Sequence, residues 1–258
     1  MSDGRLDSGE SSGRRDATAS GERRLSLPVA ILSGGLATRL HPITEKIPKA
    51  LIRVAGKPFV AWQLEYLRTQ GAKQVVLCVG YLGEQIEKEL GDGSAYGLEV
   101  RYSWDGPRLL GTGGALRRAA PLLGDRFLVF YGDSYLPVDF RAVERSFLQG
   151  GTLALMTVLQ NHDRWDKSNV LFRQGRILEY NKQSPRPEMR HIDYGLGILS
   201  ASVILDRPAD TPFDLAEVYH DLSVRGELAG FEVFERFYEI GSPAGLQETD
   251  EFLARGKP

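Results

Sequence analysis

Apolar positions along this chain follow two rhythms. From Leu27 onward, short runs that are apolar almost throughout, Leu27–Leu32, Val75–Val79 and Phe127–Tyr131, alternate with stretches in which apolar residues recur at three- and four-residue spacing, Val60–Gln70, Glu84–Leu90 and Gly114–Leu123. Runs with no polar face are strands covered on both sides, and the amphipathic stretches are helices that return the chain. With a further strand at Leu98–Tyr102, the alternation predicts an α/β fold around a Rossmann-like, mostly parallel sheet. The second half has another texture. Leu153–Leu159, Asn169–Phe172, Arg176–Tyr180 and Gly195–Ser200 are strand-like, Gly175 marks a hairpin, and only Asp214–Arg225 and Pro243–Ala254 are clearly helical. This part reads as a β-rich extension on the same, now mixed, sheet of a single domain. Residues 1–26 carry Ser, Gly and charges of both signs with almost no large apolar side chain, which predicts a disordered tail ahead of a domain spanning 27–258. No period of 20 to 50 residues repeats.

Composition narrows the function classes. The 258 residues are 42% hydrophobic, and 32 Lys and Arg against 34 Asp and Glu leave a net charge of −2. No bulk field recruits nucleic acid or an anionic membrane, so an anionic ligand must be held locally. The one cysteine, Cys78, sits inside an apolar run and reads as a buried strand residue; the four histidines are scattered, so no zinc cluster is expected. No run approaches the roughly 18 apolar residues of a membrane span, and Asp3, Asp7 and Glu10 occupy the place of a signal core. A cytoplasmic location is the expectation.

The most informative stretch follows the first strand. Ser33-Gly34-Gly35 leads through Ala37-Thr38-Arg39 to Pro48-Lys49 and Gly56-Lys57-Pro58. Glycines at such a turn let backbone N–H groups approach phosphate oxygens, and Arg39 and Lys49 would add charge. The spacing matches neither Gly-x-Gly-x-x-Gly nor the P-loop, which removes support for a dinucleotide oxidoreductase or a P-loop NTPase. A strand-end glycine pair with nearby surface cations also has a purely structural reading.

Taken together, these segments resemble the amino-terminal signature of the sugar-1-phosphate nucleotidyltransferases. Leu110-Gly111-Thr112-Gly113-Gly114-Ala115, Tyr131-Gly132-Asp133 and Tyr238-Glu239-Ile240-Gly241-Ser242-Pro243 stand in the order of that family's base-binding turn and two metal ligands. The likeness runs from about residue 27 to the end. It is nearest the small bacterial enzymes that use GTP with heptose 1-phosphate or mannose 1-phosphate. The competing readings are a uridylyltransferase for N-acetylmuramic acid 1-phosphate and a non-catalytic subunit that senses a nucleotide sugar.

The resemblance implies that a sugar 1-phosphate attacks the α-phosphorus of an NTP, giving nucleotide sugar and pyrophosphate. Because the nucleophile is already anionic, the chemistry asks for alignment and charge neutralisation. It assigns catalysis to Arg39, Lys49 and Asp133, and Mg²⁺ binding to Asp133 and Glu239. Nucleotide contacts fall to Ser33, Gly34, Gly35, Thr38, Asp105, Thr112 and Gly113. Sugar contacts fall to Lys182, Asp193 and Gly195, which makes the β-rich extension the sugar side. Bland alternatives stand beside these assignments. Asp133 also reads as a turn or N-cap aspartate, Glu239 as a partner of Arg236, Thr112–Gly114 as a plain helix start, Gly195 as a turn glycine, and Asp105 as an exposed turn aspartate. Two departures from the family pattern matter: Glu239 replaces the more usual aspartate, and Ala37 stands where many members carry glycine, which would strain the loop if φ there is positive. Residues Gln160–Asn169, with His162, Trp165 and Lys167, are a candidate sugar-side loop.

Overall fold

The computed structural model describes residues 24–256. In chain order the first half contains β1 (Val29–Leu32), β2 (Arg53–Val54), β3 (Lys57–Pro58), α1 (Phe59–Thr69), β4 (Gln74–Val79), α2 (Gly83–Leu90), β5 (Glu99–Trp104), α3 (Gly111–Leu123) and β6 (Arg126–Tyr131). There follow β7 (Ser134–Tyr135), α4 (Phe140–Gly150), β8 (Ala154–Gln160), β9 (Val170–Arg173), β10 (Arg176–Tyr180), β11 (His191–Ser200), α5 (Ser202–Leu205), α6 (Leu215–Val224), β12 (Leu228–Val233), β13 (Tyr238–Glu239) and α7 (Pro243–Ala254). Nine strands form one mixed sheet in the order β5-β4-β1-β6-β11-β8-β12-β10-β9. Strands β5, β4, β1 and β6 are mutually parallel, and β11 joins the far side of β6 antiparallel.

The apolar runs are buried on both faces because successive side chains of a strand point to opposite sides of the sheet. Val29 and Ile31 of β1, Val75 and Leu77 of β4, and Leu128 and Phe130 of β6 face one core, under α1, α2 and α4. Ala30, Val76, Cys78, Phe127 and Val129 face the other, under α3 and α6. Cys78 is a buried strand residue, 1% exposed, and burial pushes its thiol up to about 12.

Chain order around β1 fixes where a ligand can enter. The chain passes from β1 to β4 and β5 on one side, then crosses to pair β6 on the other. Such a reversal opens a crevice beyond the carboxyl ends of the strands. Register places Leu32 beside Tyr131, and the Gly132 amide donates to the Leu32 carbonyl at 2.9 Å. The glycine loop after β1 and the Gly132-Asp133 turn after β6 therefore emerge side by side.

Several elements extend or add to the sequence expectations. Helix α3 begins at Gly111 instead of Gly114, because the Gly113 and Gly114 amides are held by the Phe213 carbonyl at 3.0 and 3.3 Å. Helix α4 was not expected; Asp139 caps it through the Arg141 and Ala142 amides, and Phe140, Val143 and Phe147 make its buried stripe. Strand β12 was not expected either. Gly230 interrupts its apolar pattern, and a Cβ there would stand 2.5 Å from the Phe172 ring.

Of the expected tail, residues 1–23 lie outside the described residues. Arg24 is exposed, whereas Leu25 is 4% exposed within the first core. Next to it, one oxygen of the buried Glu144 side chain accepts from the Ser26 amide at 2.9 Å, the Ser26 hydroxyl at 3.1 Å and the Leu27 amide at 2.8 Å. Among the described residues, packing includes Leu25, two positions ahead of the boundary expected at residue 27. Among the described residues, no helix is long and apolar enough to cross a membrane. Replacing Glu144 with Ala strands these donors and should lower the unfolding free energy by about 2 kcal/mol. Urea denaturation at neutral pH checks this, and an unchanged midpoint with unchanged m-value would contradict it.

Candidate active site

Two adjoining hollows open over the carboxyl ends of β1 and β6. The first, about 250 Å³, is lined by Ser33, Gly34, Gly35, Lys49, Asp105 and Thr112 among others. The second, about 590 Å³, is lined by Arg39, Lys182, Asp193 and Glu239 among others. Tyr131 and Asp133 line both, so Asp133 stands at the junction of the hollows.

Backbone pairing brings the charged groups of the junction together. Strands β7 and β13 form a two-stranded ribbon in which Glu239 is opposite Ser134, and the Ile240 amide donates to the Asp133 carbonyl at 2.9 Å. Lys49, on a single 3₁₀ turn (Lys49–Leu51), places its ammonium 2.7 Å from Asp133 Oδ2. The Ser134 hydroxyl donates to Oδ1 at 3.3 Å. Burial and the nearby Asp133 carboxylate hold the Glu239 carboxyl above its usual range, while Arg39 and Lys49 oppose that rise. A Cβ at Gly241 would lie 2.9 Å from Glu239 Oε2 and 3.1 Å from Arg39 Nη2, so this glycine leaves the space those two groups share. Arg236, the alternative partner for Glu239, instead binds Glu248 at 2.7 Å.

This donor set suits a hard divalent cation. Two carboxylates converge from different segments, and burial together with the Asp133 charge raises the pKa of Glu239. Among the described residues there is no group of three or more His, Cys, Asp or Glu side chains that could complete a metal site. Asp133 and Glu239 are the two carboxylates here that could hold such an ion, and Mg²⁺ commonly takes only one or two protein carboxylates.

The glycine loop is tightly specified. A Cβ on Gly132 would stand 2.3 Å from the Ser33 hydroxyl, and one on Gly34 would meet Asp105 Oδ2 and the Gly80 nitrogen at 3.3 Å. Gly35 faces open space, with nothing within 4 Å of where its Cβ would be. Ala37 adopts the left-handed conformation, φ 51° and ψ 41°. The buried Thr44 hydroxyl holds that residue by donating to the Ala37 carbonyl at 2.9 Å. Thr38 is exposed and lines neither hollow.

On the base side, the reading of Asp105 as an exposed turn residue is corrected. Asp105 is 5% exposed, lines the first hollow, and accepts the Leu110 amide at 3.2 Å. Burial raises its pKa, and the Leu110 amide and Arg118 moderate the rise. Thr112 lines the same hollow, but its hydroxyl is committed: it donates to Asp214 Oδ1 and accepts from the Leu215 amide, both at 2.7 Å. Gly113 does not line the hollow. Its missing Cβ is required by the Phe213 ring, which would be 2.2 Å away.

On the other side, the pairing of β11 with β8 slips between Asp193 and Gly197. The bulge puts Gly195 at φ 102°, and its amide donates to Asp193 Oδ1 at 2.9 Å. Asp193 is raised to about 6 by burial, with the Gly195 amide and Lys182 acting against the rise. Lys182 is exposed at the edge of the second hollow. From the candidate loop at 160–169, Trp165 and Asn169 line that hollow, whereas His162 and Lys167 do not. Sequence reasoning missed Tyr131, Arg164 and Arg236 as lining residues. Tyr131 was legible as the last residue of β6; nothing local marks the two arginines.

Comparison with known proteins identifies the family. Residues 29–166 match the family model described as nucleotidyl transferase. An N-acetylmuramate alpha-1-phosphate uridylyltransferase of Neisseria meningitidis is 44% identical over 113 residues, 43% of this chain and 49% of that protein. A D-glycero-alpha-D-manno-heptose 1-phosphate guanylyltransferase of Aneurinibacillus thermoaerophilus is 29% identical over 228 residues, 86% of this chain and 96% of that protein. HddC from Yersinia pseudotuberculosis, solved in complex with GMP-PN, superposes with a TM-score of 0.73 at 26% identity, covering 88% of this chain and 99% of that chain. The chain spans about half the length of the first curated relatives it matches.

Two outcomes test this geometry. Ala37→Gly relieves a left-handed residue and should raise the unfolding free energy by about 1 kcal/mol; urea denaturation measures it, and a destabilised variant would show that the loop is not strained there. For Asp193, the unfolded carboxyl titrates near pH 4 and the folded one at about 6. Between these values the folded chain keeps a proton that the unfolded chain has released, so stability falls as pH rises through the window. Asp193→Asn should remove that fall, giving a flatter stability profile from pH 4 to 6 and a more stable protein at pH 7.

Proposed function

The chain belongs to the nucleotidyl transferase family, and on that footing we propose that it transfers a nucleoside monophosphate from an NTP to a sugar 1-phosphate, releasing pyrophosphate. The observation that carries this reading is the junction itself. Asp133 lies between a glycine-walled hollow and a larger polar one, with Lys49 at 2.7 Å and Glu239 on the paired strand. An NTP in the first hollow and a sugar 1-phosphate in the second would meet beside these charges.

Each residue has a task in that arrangement. The amides after β1 approach the triphosphate where Gly34 and Gly35 carry no Cβ. Lys49 and Arg39 offset the negative charge of two phosphates brought within reacting distance, and the walls align the sugar phosphate oxygen with the α-phosphorus. The phosphate oxygen is already an anion, so no side chain has to remove a proton. A bound Mg²⁺, held by Asp133 and Glu239, would supply Lewis-acid neutralisation of the phosphates.

GTP is the favoured donor and D-glycero-D-manno-heptose or mannose 1-phosphate the favoured acceptor. Asp105 supports the base, because a buried carboxylate on the wall of the first hollow complements the N–H edge of guanine. The heptose enzyme matched along nearly its whole length supports the same pair, and the GMP-PN complex of HddC supports the guanine base. The 44% identity to the Neisseria protein supports a second reading, uridylyl transfer to N-acetylmuramic acid 1-phosphate.

Pyrophosphate release should appear with Mg²⁺ for one combination in a panel of four NTPs against heptose, mannose, glucose and N-acetylmuramic acid 1-phosphates. Asp133→Asn should reduce that turnover by at least about a hundredfold. Silence across the panel, with nucleotide sugar still bound, would replace this reading with a sensing subunit.

A further inference from the structure

Two buried side chains lie directly behind the carboxylates of the junction. Gln63, on α1, is 2% exposed and surrounded by core residues. Its Nε2 donates to the Ser134 carbonyl at 2.8 Å and to the Tyr131 carbonyl at 3.3 Å, the backbone oxygens that bracket the Gly132-Asp133 turn. Thr249, on α7, is fully buried, and its hydroxyl reaches the Glu239 carbonyl at 2.9 Å as well as the Gly245 carbonyl at 2.7 Å. One anchor thus grips the turn that carries Asp133, and the other grips the residue that carries the second carboxylate.

Stability alone does not account for Gln63. Its Oε1 is buried without a hydrogen-bond partner, which is a loss relative to an apolar side chain of the same shape. The retained benefit is the pair of donations from Nε2, and both go to the turn of Asp133. Thr249 could bond only its own helix at Gly245, a common habit of helical threonine, yet the same hydroxyl also reaches Glu239. The carboxylate pair is also tied by the Ile240 amide at the Asp133 carbonyl, by Lys49 at Asp133 Oδ2 and by the short ribbon of β7 and β13, two residues on each side. That ribbon rests on a small apolar cluster in which Tyr135 and Ile240 pack with Phe59 and Leu253, and Gln63 and Thr249 add polar ties to the backbone of the two carboxylate-bearing segments.

We propose that Gln63 and Thr249 are positioning residues: from beneath, they set the spacing of the Asp133 and Glu239 carboxylates and so the affinity of that pair for a divalent cation. The inference rests on the reading of Asp133 and Glu239 as the cation-binding pair. Partners one layer behind a metal ligand typically alter metal affinity by about 10- to 100-fold when removed.

Mn²⁺ binding to the full chain without nucleotide, followed by electron paramagnetic resonance, tests the proposal independently of turnover. Gln63→Met and Thr249→Val keep volume and remove the donors; Gln63→His retains one donor. Glu144→Ala serves as a control that removes buried polar contacts far from the junction. The expected result is Mn²⁺ affinity lowered about tenfold or more in the Met and Val variants, partly restored in Gln63→His, and unchanged in Glu144→Ala despite its lower stability. Where turnover is present, the half-saturating Mg²⁺ concentration should rise in the same two variants with little change in the KM for sugar phosphate. Mn²⁺ affinity within twofold of wild type in both variants overturns the proposal, as does a loss equal to that of the control, or a wild-type chain with no site dependent on Asp133. Failure of the pyrophosphate assay with these Mn²⁺ differences intact would remove the transferase reading and leave the positioning roles standing.

Discussion

A single backbone pairing organises the candidate site. The Ile240 amide and the Asp133 carbonyl join the turn after β6 to the segment before α7, parts of the chain far apart in sequence. That bond and the ribbon beside it set Glu239 near Asp133, with Lys49 on one flank and Arg39 on the other. Without it the chain would carry one acidic turn and one acidic strand end that do not meet. Burial and the neighbouring Asp133 charge both raise the pKa of Glu239, and Arg39 and Lys49 oppose that rise.

The sheet supplies the rigid frame on which that pairing depends. Because β1 is flanked by parallel β4 and β6, its carboxyl end lies at the point where the chain reverses direction across the sheet. Both faces of these strands are covered, so the loops at their ends are the parts left to accept a ligand. Steric demands then hold the loops in place. Gly132 clears the Ser33 hydroxyl, Gly34 clears Asp105, and Ala37 remains in a left-handed conformation fixed by Thr44. Local strain and buried polar groups collect around the first hollow, as expected when a site is shaped at some cost to stability.

The two halves also communicate through structure. The α3 turn that walls the first hollow is held by residues 213–215 of the second half: the Phe213 carbonyl takes the Gly113 and Gly114 amides, and Thr112 is shared between Asp214 and the Leu215 amide. The small residues of that turn are therefore explained by packing against Phe213 as fully as by room for a flat base. A pattern of glycines can satisfy both demands at once, and only the coordinates separate them.

Much of this protein is written in its local pattern. Apolar runs buried on both faces announce β1, β4 and β6, and the switch to β-rich texture announces the extension, because side-chain periodicity follows directly from backbone geometry. The glycine pair and Asp133 stand next to strand ends, so their place at the crevice is also legible, whereas Lys49, on a 3₁₀ turn well past β1, was marked by the family resemblance. Less legible were α4, whose cap and stripe are short, and β12, interrupted by a glycine that only its neighbour Phe172 explains. Tertiary structure alone decided the burial of Asp105, the commitment of the Thr112 hydroxyl, the bulge at Gly195 and the grip of Gln63 and Thr249 on the carboxylate turns. Those facts depend on which distant segments meet, and the pairing of residues far apart in sequence is set by the packing of the whole sheet.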